Sequence, residues 1–213
     1  MKASDLSRVA ELHIRSFDGY FLSRLGPGFV RRLYHEYRSP ADVALVAERS
    51  GEIVGFVLGS TDLSAVYRRF YRRNLPFIGY RLLERAGRDP ETRHQIGQRV
   101  GHFRVGLLAI VGRRAEPITP IDEPDGAELV SIGVAPKAQG SPTASMLVAG
   151  FLDELRKRSV SVAKLSVRQD NERAIRFYQR EGWQRIGVSG DEFRYAITLS
   201  TNASLPGSPD HAR

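Results

Sequence analysis

Asn171-Glu172-Arg173-Ala174-Ile175-Arg176-Phe177-Tyr178-Gln179-Arg180-Glu181-Gly182-Trp183 is the stretch on which the fold turns. Asn171, Ala174, Ile175 and Tyr178 recur at the three- and four-residue spacing of an amphipathic helix. Asn suits the N-cap, where its side-chain oxygen takes an amide of the first turn. Gly182 suits the residue past the end, where a left-handed backbone closes the helix. Tyr178 then lies roughly 10 Å along the axis from Asn171, at about 1.5 Å per residue. Alone, this is a capped helix with a packing tyrosine.

A second segment lies upstream: Val134-Ala135-Pro136-Lys137-Ala138-Gln139-Gly140-Ser141-Pro142-Thr143-Ala144. It joins an apolar run, Leu129–Val134, to a long helical pattern over Ser141–Arg158. A strand that passes through small residues into a helix N-terminus brings free amides and the positive end of a helix dipole together on an anion. Between the two segments, Val160–Val167 reads as another strand.

The pattern extends in both directions. Residues 5–16 and 27–38 carry helical stripes, the second with Pro27 in its first turn. Asp42–Glu48 and Ile53–Leu58 read as a hairpin around Ser50-Gly51. A helical pattern begins at Leu63, with Pro76 expected to interrupt it, and Asp89-Pro90 reads as a further helix start. Glu116–Gly126 reads as a loop. Gln184–Gly187 and Glu192–Leu199 read as closing strands, and residues 200–213 as a disordered tail. The expected fold class is α/β, a mixed sheet flanked by helices.

Composition removes several chemistries. There is no cysteine, so there is no disulfide framework, cysteine nucleophile or thiolate metal site. The five histidines fall in no metal-binding spacing, and no metal is expected. The N-terminus lacks a secretory apolar core and no spanning helix is evident, so the expectation is a cytoplasmic protein. The net charge is +8, and it is confined. Residues 64–115 hold twelve arginines and three acids, while the rest of the chain is close to neutral. Such a block attracts phosphate, nucleic acid, anionic lipid or an acidic partner.

Taken together and in this order, the two segments resemble the GNAT superfamily of acyl-CoA-dependent N-acyltransferases. That family carries V-x-P-x-x-[QR]-G-x-G-x-[GA], then a helix, a strand and N-x-x-A-[IL]-x-F-Y-x-x-x-G-[FW]. The second motif is matched at every defined position. The first is matched at Val134, Pro136, Gln139, Gly140 and Ala144, with Pro142 in place of its second loop glycine. The hairpin V-A-E-x-x-G-x-I-V-G-F-V from Val46 to Val57 also looks like the family. The resemblance leaves out 64–126, which would be a basic helical insertion between the third and fourth core strands of a single domain, 1–199.

The resemblance implies a centrally splayed sheet and transfer of acetyl from acetyl-CoA to a primary amine. Amides from Gln139 through Gly140, Ser141 and Thr143 to Ala144 would hold the pyrophosphate. Ile132, Gly133 and Val134 would pair with the pantetheine arm, and Asn171 and Ala174 would line it. Tyr178, with a phenol near 10 in its ordinary range, would protonate the leaving thiolate. Glu128 would be the base, since Ser166 occupies another common base position of the family. His13 is expected as a satisfied core histidine.

On the acceptor side, Phe17, Tyr20, Arg68 and Arg72 are the candidates for substrate binding, and the arginines suggest an anionic small molecule such as an amino sugar phosphate. Protein N-terminal or lysine acetylation is the enzyme alternative. A non-catalytic acyl-CoA-binding or basic interaction module is the alternative outside catalysis. For the insertion itself, contact with a membrane surface and a helical lid or homodimer surface are the competing roles. No nucleic-acid motif is present.

Overall fold

A computed structural model of the protein describes residues 1–88 and 125–199. The helix start at Asp89, most of the loop at 116–126 and the tail at 200–213 lie outside the described residues.

The chain opens with a 3-10 turn, Ala3–Asp5, and then α1 (Leu6–Ser16). Leu6, Val9, Ala10, Leu12 and His13 form the buried face of α1. The short α2 (Phe21–Arg24) and α3 (Pro27–Tyr34) follow. Gly26, at φ 87°, caps α3 with a backbone that only glycine adopts without strain, and Pro27 takes its first position. β1 (Asp42–Arg49) and β2 (Glu52–Ser60) form the expected hairpin. Ser50 and Gly51 both have positive φ, the signature of the two-residue turn whose twist matches the strands.

α4 (Leu63–Arg88) is continuous through Pro76, against the expected interruption. Proline removes the hydrogen bond to the Arg72 carbonyl, but Arg72 and Pro76 are both exposed, so water can take that carbonyl. Burial of Val66, Phe70 and Ile78 then holds the helix on the core.

β3 (Ala127–Val134), a 3-10 turn (Pro136–Ala138), α5 (Thr143–Lys157), β4 (Val162–Arg168), α6 (Glu172–Arg180), β5 (Gln184–Ser189) and β6 (Glu192–Thr198) complete the described chain. No strand precedes α1 among the described residues. The Met1 ammonium instead donates to the Ala44 carbonyl of β1 at 2.8 Å. Segment 64–126 therefore falls between the second and third strands, not between a third and a fourth as counted from the family pattern.

The six strands form one sheet in the order β1-β2-β3-β4-β6-β5. All neighbours are antiparallel except β3 and β4. Alternation along β2 separates two cores: Phe56 and Leu58 pack with α1, α3 and α4, while Val57 packs with α5 and α6. No helix among the described residues is long and apolar enough to cross a membrane.

β2 and β3 shift register between Leu58 and Gly59, where Val130 of β3 is the extra residue of a bulge. A Cβ at Gly59 would stand 2.4 Å from the Glu128 carbonyl oxygen and 2.5 Å from the Phe151 ring. Neither neighbour can yield, since one is sheet backbone and the other a fully buried ring. Gly59→Ala is expected to cost about 3 kcal/mol, read as a lowered midpoint in denaturant melts.

Candidate active site

β3 and β4 are parallel neighbours at two positions only, Ala127 with Ala163 and Glu128 with Lys164. Beyond these they part, so β3 from Leu129 to Val134 has a partner on its β2 side alone. This is the expected splay. It leaves Ile132 and Val134 with an edge whose backbone groups are free to meet an extended ligand.

β3 runs out at Val134 into the predicted anion loop. Ala135 is tied to β2 by its amide, which donates to Val54 at 2.8 Å. The 3-10 turn follows, and Gly140 at φ 81° turns the chain into α5. The amides here are not all available. Gln139 donates to Pro136, Ser141 to Ala138, and Thr143 to the Ser141 hydroxyl. Pro142 has no N–H. Gly140, Ala144 and Ser145 keep amides with no acceptor among the described residues. Of the expected run from Gln139 to Ala144, Gly140 and Ala144 thus have unengaged amides among the described residues, and Ser145 just beyond it has one too. Reading by motif position could not show which loop amides are spent inside the turn. No Cβ at Gly140 would meet another atom within 4 Å, so its backbone is open to close approach.

α6 faces this loop across the splay. Arg173 donates to the Gln139 side chain at 2.8 Å, joining the helix to the loop. Arg173 stands at a position the motif leaves undefined, so no sequence signal singled it out. Asn171 caps α6, accepting from the Ala174 amide at 3.1 Å, and its side-chain nitrogen reaches the Tyr20 hydroxyl at 3.5 Å. Tyr20 in turn packs edge-on against Phe17, with ring centroids 5.6 Å apart. The α1–α2 turn and the start of α6 thus meet at the cleft, bringing Phe17 and Tyr20 beside Asn171.

Tyr178 lies in the last turn of α6, buried between Phe177 and Trp183 at 5.2 and 5.8 Å. Burial pushes its phenol well above the ordinary tyrosine range. Its hydroxyl has no hydrogen-bond partner among the described residues. It is a protonated donor whose proton is uncommitted.

Glu128 sits at the mouth of the splay, and both its oxygens accept from Arg194 of β6, at 2.8 and 3.1 Å. The same guanidinium also donates to Ser166 of β4. Arg194 was not singled out in the sequence, because its role depends on β6 lying next to β4. Tyr67 of α4 packs near this group. Its phenol is raised first by burial and then by the Glu128 charge.

The basic segment divides. Arg69 donates to Asp42 and to the Glu36 carbonyl, both at 2.8 Å, and Arg73 donates to the Glu36 carboxylate at 3.0 Å. Glu36 and Asp42 are buried, so these two arginines neutralise interior charge. Arg68 and Arg72 are exposed and hold no ion pair among the described residues. The structure does not bring them into contact with Phe17 or Tyr20.

His13 differs from its expected role. Tyr34 donates to Ser131 at 3.0 Å and lies 2.7 Å from His13 Nδ1, which makes Nδ1 the protonated ring nitrogen. Nε2 is buried without a partner, so the histidine is only half satisfied. Burial lowers its pKa to about 4.

A family model described as "Acetyltransferase (GNAT) family" matches residues 7–183. The chain belongs to the acetyltransferase (GNAT) family. Among solved structures it is similar to a PaiA N-acetyltransferase from Thermoplasma acidophilum in complex with coenzyme A. That likeness has a TM-score of 0.57 at 11% identity and covers 93% of this chain and 95% of the other. It is also similar to the ribosomal-protein-S18-alanine N-acetyltransferase from Escherichia coli, at TM-score 0.54 and 14% identity, over 100% and 96% of the two chains. At these identities the likeness is one of fold. A curated relative, mycothiol acetyltransferase from Sanguibacter keddieii, is 41% identical over 69 residues, which is 32% of this chain. The match spans 22% of that relative's length.

Proposed function

We propose that the protein transfers an acetyl group from acetyl-CoA to the primary amine of a small molecule. The observation that carries this reading is the parting of β3 from β4 directly beside a loop of unspent amides, with Tyr178 buried nearby.

In this reading Gly140, Ala144 and Ser145 hold the pyrophosphate, with Arg173 at the rim. The free edge of Ile132–Val134 pairs with the amides of the pantetheine arm, and Asn171 and Ala174 line its other side. The acceptor nitrogen bonds to the thioester carbonyl carbon as the carbon–sulfur bond breaks. Tyr178 gives its phenolic proton to the departing sulfur. Glu128 takes the amine proton, directly or through water, on a lone pair that Arg194 does not occupy. Phe17 and Tyr20 wall the acceptor side. Tyr67 beside Glu128 narrows that side, which favours a small acceptor over a peptide. Arg68 and Arg72, on the same helix as Tyr67 and without an ion pair among the described residues, are the cations offered for an anionic acceptor.

The test is calorimetric titration with acetyl-CoA and CoA, followed by thiol-release assays over anionic and neutral amino sugars and short peptides. Micromolar binding with turnover on a small amine supports the reading. Turnover on peptides alone moves the acceptor class, and the absence of binding sets the reading aside. Pro142→Gly restores an amide at the helix entry and is expected to tighten CoA binding about threefold while leaving the melting midpoint nearly unchanged.

A further inference from the structure

A cavity of about 530 Å³ opens at the far end of the helical layer, where the start of α1, the end of α3 and the middle of α4 meet. Its basic lining is Arg31, Arg32, His35 and Arg73, and Glu36 is its single carboxylate. That carboxylate is buried and already claimed by Arg73 and, at 4.0 Å, by Arg69.

Of the remaining guanidiniums, that of Arg32 differs from an ordinary solvated arginine. Arg32 lies over the Phe77 ring at 4.3 Å and donates to the Asn74 side chain at 3.2 Å. Asn74 is itself buried and anchored to the Phe70 carbonyl at 3.0 Å. The plane of Arg32 is therefore fixed by an aromatic face and an amide, neither of which neutralises its charge. Arg31 has no partner among the described residues. Arg73 is fixed by Glu36. His35 accepts from Arg38 at 3.1 Å through Nε2, which leaves its Nδ1 carrying a proton, and that nitrogen lies 3.9 Å from the Glu36 carboxylate. Ser7 adds a hydroxyl at the positive end of the α1 dipole.

We propose that this cavity is a second ligand site, separate from the acetyl-transfer cleft, for a small molecule bearing a phosphate or pyrophosphate group. A guanidinium presents paired N–H donors that match two oxygens of a phosphate, and a fixed guanidinium loses little freedom on binding. A cavity of this size holds a ligand as large as a phosphorylated metabolite. The site goes beyond the acetyltransferase reading and does not depend on it. α4 links the two places: Tyr67 stands by Glu128, while Arg73 and Asn74 line the cavity. A ligand there bears directly on the helix that walls the acceptor side.

The test is titration of the full chain with inorganic pyrophosphate without CoA, which itself bears a pyrophosphate; the Arg31 and Arg32 variants tell the cavity from the α5 loop. CoA affinity is measured separately on every variant, so a failed cofactor reading and a failed second site give different results. Saturable binding at sub-millimolar concentration is expected. It should weaken about tenfold or more in Arg32→Gln and in Arg31→Gln and stay unchanged in the exposed control Arg180→Gln. Vesicles of phosphatidylcholine with phosphatidic acid form a second arm. Binding there that is lost in the same two variants, without binding of free pyrophosphate, supports the phosphate site and assigns its source to a lipid headgroup. No binding in either arm, or binding that Arg31→Gln and Arg32→Gln leave intact, overturns the proposal.

Discussion

Tyr178→Phe is expected to lower kcat at least about tenfold, with CoA affinity and melting temperature nearly unchanged. The separation of these effects follows from the packing. The ring fills a buried slot between Phe177 and Trp183, and phenylalanine keeps that ring. The hydroxyl makes no hydrogen bond to a described residue, so its removal breaks no native contact and relieves a buried polar group. What the variant loses is the proton. Burial raises the phenol, so the group is held protonated and suits the proposed role of donor rather than that of a base. Single-turnover rates on an accepted amine are the measurement. An unchanged rate would remove Tyr178 from the chemistry and return it to the core.

The second large effect is on acid stability. His13 has its pKa lowered to about 4 by burial, against about 6.5 in an unfolded chain. Between these values the unfolded state binds a proton that the native state does not. Stability therefore falls as pH drops from about 6.5 to about 4, by about 3 kcal/mol in total from this one group. Below the lower value both states are protonated and the slope from His13 ends. Denaturant melts across this window are expected to show the loss in the native chain. In His13→Gln, which keeps a donor for Tyr34, that component should be absent. A variant that loses stability in parallel with the native chain would place the acid sensitivity elsewhere.

Much of the fold could be read from local pattern. The stripes of α1 and α5 fell where their spacing put them, because each buries one face against the sheet, whereas α3 ends at Tyr34, short of the expected 38. Ser50-Gly51 fixed the hairpin through its turn chemistry, and Asn171 and Gly182 fixed both ends of α6. Pro76 misled, because its cost depends on whether the stranded carbonyl is wet, and tertiary placement decides that. For the proposed site, motif spacing pointed to Gly140, Asn171 and Tyr178, which the fold sets around the splay. It could not find Arg194, which reaches Glu128 only because β6 lies beside β4 and so spans three strands. Nor could it divide the arginine block. Arg69 and Arg73 look like Arg68 and Arg72 in sequence, and the difference between them is the buried Glu36 and Asp42 that only the folded chain sets in reach.

The two residue pairs that join β3 to β4 also make a seam. Along the sheet, β1, β2 and β3 form one leaf and β4, β6 and β5 another, and the ladder between them is two rungs long. What holds the leaves together is the apolar layer beneath, where Phe151 and Leu155 of α5 share a core with Ala127 and Leu129 on one side and Ala163 and Leu165 on the other. The bridge of Arg194 to Glu128 spans the same seam from the opposite face. The two leaves are thus bound like those of a book, with α5 as the spine and an ion pair as the clasp. In the proposed mechanism the group that takes the amine proton is therefore also one that ties the two leaves together.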